Sequence, residues 1–567
     1  MYIGNMFLLS PVLWMLGAAL LVLFLGIAAA PKRDGWIEHF LPAHYLAPSL
    51  TAVGLVAAGG LVYWSLLVKD SLQSITVAGE ELLVPANALF VTSGGHAQFT
   101  VDPFAAIFTF VAVLGTLMVM LLSIDYFGEF QRHKAEYYCL LMLAAAAASL
   151  VAGASDLIAI YLSIEFLSLT SYVLAAFDKE NRRSAEAGMK YFIYGAACSA
   201  VMLQGMSILF GVSGGATSLS GIAQKFSGMG MGSAVTAAGW VGVTFTLVGL
   251  GFKLSLAGFH FWAPDTYEGA PTPVTAFLSV VSKAAGIAVL ARFVLVAALP
   301  GQAGSLSWYW ILVILTTASM FYGNLAAIAQ TNIKRMLAYS SIAQIGYIMV
   351  GVLAAMHVFT REGSALSVPN ASIRTQISAA GGHTGPPLPW DLRGVIMYVL
   401  AYLFMNIGAF AVVTAVGKRL RSDAIKDYAD LARRSPLMAG ALAVFLVSLA
   451  GVPPTAGFLG KLFVFGSAVN VGMAGHVELI VLAAFGVINS VISAYYYFNV
   501  VRLMYFAPAS QSETLSISFA ARATVVSALL VTLGLIVFTK PVSDLAAQAV
   551  YRPLDGLSSL SGGEVDL

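Results

Sequence analysis

Charge is what this sequence has least of. Asp, Glu, Lys and Arg make up 10% of its 567 residues, against roughly a quarter in soluble domains, which excludes a water-soluble fold. Cysteine is scarce too. Cys139 and Cys198 both fall inside apolar segments, the setting of packing residues rather than of a disulfide or metal site. The sequence has no cysteine cluster for iron–sulfur, no CxxCH for haem and no GxGxxG opening a βαβ unit, so no redox centre, cofactor or metal is expected. No basic segment precedes the first apolar run near Met6, and no small-residue cleavage site follows at signal-peptide length. That run is expected to be a retained helix.

Apolar sequence is what the chain has in excess. Hydrophobic residues make up 59% of it, and runs long enough to cross a ~30 Å hydrocarbon layer recur from Met6 to Thr539. The expectation is a single all-α membrane domain over 1–567. Its fourteen spans lie near 6–30, 46–68, 103–124, 137–153, 155–177, 186–212, 234–262, 271–298, 307–330, 336–358, 392–417, 435–467, 477–506 and 520–540. Fourteen crossings return both termini to one face. Most of the 29 Lys and Arg, among them Lys179, Arg182, Arg183, Lys334, Arg335, Lys418 and Arg419, lie in loops on the opposite face. Both termini are therefore expected outside the cytoplasm.

Three segments break the alternation of helix and short loop. Residues 69–102 alternate apolar and polar side chains around a Gly-Gly turn, as a small extracytoplasmic hairpin would. Residues 359–391 are rich in Ser, Gly and Pro and read as an exposed loop. Residues 418–434 place Ile425, Tyr428 and Leu431 at helical spacing among charges, as in a helix lying on the cytoplasmic surface.

Lys190, Lys253, Lys283, Arg292, Lys461 and Glu165 fall inside the expected spans. A charge near the bilayer centre costs about 2.5–3.5 kcal/mol, so five or six sum to roughly 15 kcal/mol unless they face one another, face buried water or give up their charge. A proton path needs all three. Glu165 shares one helix stripe with Tyr161, Ser168 and Tyr172. Lys190 has Glu186 one turn away, which leaves a structural ion pair as a rival reading. Arg292 reads as structural or snorkelling.

The most informative stretch, GFKLSLAGFHFWAPDTYEGAPTPVTAFLSVVSKAAG, carries Lys253, His260, Asp265, Glu268 and Lys283. Glycines and prolines interrupt it, and a broken helix is tolerated in a membrane only where protein or a water-filled cavity surrounds it. Such breaks mark ion sites. If the helix stayed regular, Lys253 and His260 would share a face about 10 Å apart. His260 could equally hydrogen-bond carbonyls freed at the break. A second break is expected at SLAGVPPTAGFLGKLFVFGSA, with Lys461. Ser255-Leu256-Ala257-Gly258 and Ser448-Leu449-Ala450-Gly451 repeat one tetrapeptide, as two halves descended from one repeat would. A lysine ammonium has a reference pKa near 10.4. Bringing one near 7 takes about 4–5 kcal/mol, within what burial and a like-charged neighbour supply. If a carboxylate such as Glu165 approaches and retreats, it can hold and then release a proton on a buried lysine.

The run FKLSLAGFHFWAPDTYEGAPTPVTAFLSVVSKAAG, with NIKRMLAYSSIAQIGYIMVG and GVPPTAGFLGKLFVF, closely resembles the antiporter-like subunits of respiratory complex I, specifically subunit N of bacterial NADH:quinone oxidoreductase. The likeness covers nearly the whole chain. Lys461 favours subunit N over M, and the chain ends without the long lateral helix of L. The resemblance implies two inverted five-helix repeats, 137–298 and 307–506, each with a half-channel. It implies proton-transfer roles for Glu165, Lys190, Lys253, Lys283 and Lys461. It also implies M-like and K-like subunits as neighbours in the lipid bilayer of the bacterial inner membrane, and no nucleic-acid partner. Gln344 stands where many relatives have histidine, which puts one link of the second half-channel in doubt. Two other readings stay open: a subunit of a multisubunit cation/proton antiporter or membrane-bound hydrogenase, and a structural scaffold with fortuitous buried charges.

Overall fold

The structure, a computed structural model, describes residues 2–4, 9–28, 43–67, 72–77, 80–85, 88–91, 97–127, 133–227, 234–297, 307–366, 392–508 and 517–547. The helices are α1 Ser10–Ala28, α2 Ala43–Leu67, α3 Pro103–Phe127, α4 Lys134–Gly153, α5 Leu157–Ala175 and α6 Arg182–Val212. Next come a short helix, Leu219–Ser227, and then α7a Ala234–Leu254 and α7b Trp262–Gly269, the two parts of a broken helix. Helix α8 consists of Thr272–Phe277 and Lys283–Arg292, joined by the π turn Leu278–Ser282 and prolonged by the π turn Phe293–Ala297. The rest are α9 Ser307–Ile328, α10 Ile333–Leu366, α11 Leu392–Leu420, the broken pair α12a Pro436–Ala450 and α12b Ala456–Met473, then α13 Val477–Phe506 and α14 Phe519–Val537.

Among the described residues twelve helices are long and apolar enough to cross a membrane, and shorter apolar helices in α1, α2 and α12a complete the set. The expected polytopic all-α fold is therefore the observed one. The helices are apolar on every side because the inner helices are covered by protein and the outer ones face lipid. The most apolar windows of α8 and α10 are 100% buried, whereas that of α14 is 28% buried. Phe24, Leu162, Ile193, Ile314 and Val491 point outward.

Both expected breaks occur, and their geometry differs. Helix α7a ends at Leu254, where Ser255 takes φ 57° and Gly258 φ 89°, so the span expected over 234–262 is not one helix. Lys253 and His260 consequently share no regular helix face. The groups freed there are taken up by protein: Ala257 N donates to Ser319 Oγ of α9 at 2.8 Å, and Trp262 Nε1 to Phe252 O at 3.1 Å. In the second break the repeated tetrapeptide forms the last turn of α12a instead. Gly451, at φ 85°, caps that helix and Gly457 N donates to Ser448 Oγ at 3.0 Å.

The hairpin expected around the Gly-Gly turn of 69–102 corresponds to β4 Ala88–Val91 paired antiparallel with β5 Ala97–Thr100, with Gly94 and Gly95 outside the described residues. β1 Tyr2–Gly4 joins it in the order β1-β4-β5. A second hairpin, β2 Leu72–Val77 against β3 Glu80–Pro85, was not expected. Of the loop expected at 359–391, the first residues continue α10 as far as Leu366, and 367–391 lie outside the described residues.

The surface helix expected over 418–434 is interrupted. Arg421 and Asp430 take left-handed φ values of 51° and 55°, leaving a 3-10 turn Ile425–Tyr428 and one helical turn Leu431–Arg434. Ile425, Tyr428 and Leu431 are buried. The segment is stitched to the start of α10, where Ile333 N donates to Asp423 O and Ile425 N to Thr331 O. Burial and the carboxylates of Asp423 and Asp427 push the Tyr428 phenol well above its ordinary range, so it stays neutral.

Candidate functional site

The first broken helix places Lys253 against α5. The Lys253 side chain is 1% exposed and its ammonium donates to Ser168 Oγ at 3.2 Å. Ser168 lies on the Glu165 stripe, three residues along, while Glu165 itself accepts a hydrogen bond from Ser199 of α6. No ion pair within 4.0 Å joins Glu165 to Lys253 among the described residues. Ammonium and carboxylate thus each bind a different serine, Ser168 for Lys253 and Ser199 for Glu165. His260 is buried inside the break. Its Nδ1 accepts from Gly258 N at 3.2 Å, so it serves a freed amide rather than a carbonyl. Its Nε2 has no hydrogen-bond partner among the described residues, and the ring packs on Tyr322 at 4.4 Å.

Lys283 follows directly on the π turn of α8. An extra residue in the turn re-aims the side chains beyond it, a device common at functional sites. Lys283 is 1% exposed, and its ammonium donates to Ser341 Oγ of α10 at 2.8 Å and lies 5.9 Å from the Tyr267 ring centre. Asn406 of α11 donates to Ser279 Oγ within the same π turn at 2.8 Å.

One residue along α10, a separate set of hydrogen bonds leads toward α12b. The adjacent Ser340 shares a hydrogen bond with Tyr497 Oη of α13. Gln344 Nε2 donates to Tyr497 Oη at 3.4 Å and to Leu449 O at 3.1 Å, while its Oε1 accepts from Tyr398. Leu449 O also accepts from Lys461 at 3.1 Å, and Ala450 O does so at 2.9 Å. Lys461 thus reaches back across the break and satisfies carbonyls left open at the end of α12a. Its ammonium lies 4.5 Å from the Tyr347 ring centre. Gln344 keeps the hydrogen-bonded link that the sequence left in doubt, although an amide does not titrate.

Lys190 is not part of this line. Its side chain is 40% exposed and pairs with Glu186 at 2.8 Å and Asp265 at 2.7 Å. Asp265 also meets Arg335 at 2.6 Å, and Arg335 meets Glu268 at 3.1 Å. The result is a charged cluster binding α6, α7b and α10 at one end of the bundle. Lys334 and Arg335 read in the sequence as loop cations. Yet Lys334 is 4% exposed, donating to Ala270 O at 2.9 Å and facing Asp423 at 3.6 Å. Arg292 neither snorkels nor joins the line. It forms a bidentate pair with Asp102 at 2.8 and 2.9 Å, tying the end of α8 to the start of α3.

Two broken helices, each with a buried lysine, and a third buried lysine between them define an antiporter-like membrane subunit. Residues 154–363 and 389–493 match the family described as NADH:quinone oxidoreductase/Mrp antiporter, TM. NADH-quinone oxidoreductase subunit N of Desulfitobacterium hafniense is 37% identical over 507 residues, covering 89% of this chain and 95% of that one. A chain of respiratory complex I from Thermus thermophilus superposes with a TM-score of 0.69 at 26% identity, covering 95% of this chain and 99% of that chain. A chain of the Mrp complex from Dietzia sp. DQ12-45-1b superposes with a TM-score of 0.74 at 20% identity, covering 98% and 99%, a likeness of fold. The chain belongs to the NADH:quinone oxidoreductase/Mrp antiporter transmembrane family, within its NADH-quinone oxidoreductase subunit N branch.

Proposed function

We propose that the chain is a redox-silent membrane-arm subunit of a proton-translocating NADH:quinone oxidoreductase, and that protons cross it along Glu165, Lys253, Lys283 and Lys461. The observation that carries this reading is the pairing of the three buried lysines. Lys253, Lys283 and Lys461 donate to serine hydroxyls or backbone carbonyls rather than to carboxylates. A buried ammonium held by neutral acceptors gives up its proton far more readily than one locked to a carboxylate. Ser341, Tyr497 and Gln344 supply donors and acceptors between Lys283 and Lys461. Because Gln344 cannot carry a proton by titrating, transfer there runs through hydroxyls and water. His260 is a lesser element, placed in the break beside the line. Lys190 belongs to the reading as an entry group, since it sits off the line in salt bridges with Glu186 and Asp265.

The same reading takes residues 137–298 and 307–506 as two inverted repeats and places the complex in the bacterial inner membrane. It puts the termini outside the cytoplasm and M-like and K-like subunits beside the chain. A subunit of a multisubunit cation/proton antiporter is the alternative, supported by the shared family description and by fold likeness to the Mrp chain, with a membrane-bound hydrogenase subunit as a further reading that neither of these supports. Identifying the proteins that copurify with the chain separates these readings. The proton role is tested in sealed vesicles. Assembled complex bearing Lys253→Ala or Lys461→Ala is expected to lose proton pumping, and pumping at the normal proton ratio would sink the proposal.

A further inference from the structure

Away from the buried lysines, three helices bring together side chains that lie far apart along the chain. His357 lies toward the end of α10, Tyr309 in the first turn of α9, and His476 and Glu478 at the start of α13. Glu478 Oε1 lies 3.4 Å from His476 Nδ1 and 3.8 Å from His357 Nε2. The two imidazoles stack with centroids 3.7 Å apart, and one ligand atom from each of the three residues lies within 4.8 Å of the others. Tyr309 Oη donates to the same carboxylate oxygen at 3.3 Å.

Zinc bonds of about 2.0–2.1 Å to nitrogen and oxygen set tetrahedral ligand–ligand edges of about 3.4 Å. The two measured nitrogen–oxygen separations are within a few tenths of an ångström of that edge. We propose that His357, His476 and Glu478 form a binding site for a late first-row divalent metal ion, with zinc as the type ion and the fourth position open to water. Two imidazoles and one carboxylate suit zinc, nickel or copper and not the all-oxygen preferences of magnesium or calcium. The supporting shell is also present, since Tyr309 orients the carboxylate. Access comes from His476 and Glu478, whose side chains are 37% and 23% exposed, while the His357 side chain, at 1%, forms the floor. A bound ion would join the ends of α10 and α13, the helices that carry Gln344 and Tyr497. It would thereby resist relative movement of the two elements that span the Lys283–Lys461 gap.

The test uses the purified complex containing the full chain, stripped with chelator, desalted and equilibrated with micromolar Zn2+. Bound zinc is counted by mass spectrometry for wild type, His476→Ala and Glu478→Gln, with assembly checked on native gels. Wild type is expected to retain one more zinc ion per chain than either variant, each of which should bind at least tenfold more weakly. Equal zinc in all three overturns the site. Titrating wild type alone with Co2+ gives a readout that needs no variant. The intense visible absorption of four-coordinate cobalt supports the site, and a spectrum of six-coordinate aqueous cobalt only refutes it. Neither result depends on whether the lysines carry protons.

Discussion

Replacing Arg292 with methionine leaves the carboxylate of Asp102 without its cation at a position where the Asp102 side chain is 1% and the Arg292 side chain 10% exposed. Removing one partner of a buried pair costs about 3–5 kcal/mol, because the remaining charge has neither solvent nor counter-ion. Asp102 also accepts from Ala105 N at 2.7 Å at the start of α3, so Asp102→Asn keeps an acceptor there while removing the charge. The double variant Arg292→Met/Asp102→Asn buries no charge at all. It should therefore be more stable than Arg292→Met alone, with a coupling energy of about 2–3 kcal/mol. The assay is unfolding of the purified chain by SDS titration in mixed micelles, followed by circular dichroism, for all four members of the cycle. Single effects that add to within about 0.5 kcal/mol would refute the claim that this pair is a closed, buried lock between α3 and α8.

Three further outcomes are expected. Gly451→Ala places a Cβ at φ 85°, 2.9 Å from Lys461 Cδ. The backbone strain alone is about 1–2 kcal/mol, and displacement of Lys461 from its carbonyls should lower both thermal stability and proton pumping in vesicles. Gln344→Leu removes the group joining Tyr497, Tyr398 and Leu449 O and should slow pumping, whereas Gln344→His, which restores a titratable link, should preserve it. Ser319→Ala leaves the Ala257 amide at the first break unpaired, a loss of about 1–3 kcal/mol that should lower the melting temperature of the complex and spare the proton ratio.

The sequence disclosed the helices and both breaks because each leaves a local mark: a long apolar run, or glycine and proline inside one. It also placed Lys253, Lys283 and Lys461 on the right elements, since a charge in an apolar run stands out. Partners were out of reach. Helices that are apolar all round have no amphipathic stripe to show which side faces which neighbour, so Ser341 for Lys283, and Leu449 O for Lys461, could not be read from spacing. The π turn before Lys283 falls in LSVVS, a stretch with no glycine or proline to announce it. Lys334 and Arg335 looked like loop cations because they border a span, yet their partners on α7b and in the 420s segment arrive only through tertiary packing. The repeated tetrapeptide gave the location of the breaks and not their form, since one copy makes the break and the other ends the helix before it.

The most direct measurement is the ratio of protons translocated to NADH oxidised by the reconstituted complex carrying Lys283→Met. Lys283 lies between the two broken helices and donates to Ser341 Oγ at 2.8 Å, the central position of the proposed path. With the complex intact, the account expects turnover to stop or fewer protons to move per NADH. An assembled complex that turns over normally at the wild-type ratio would contradict it.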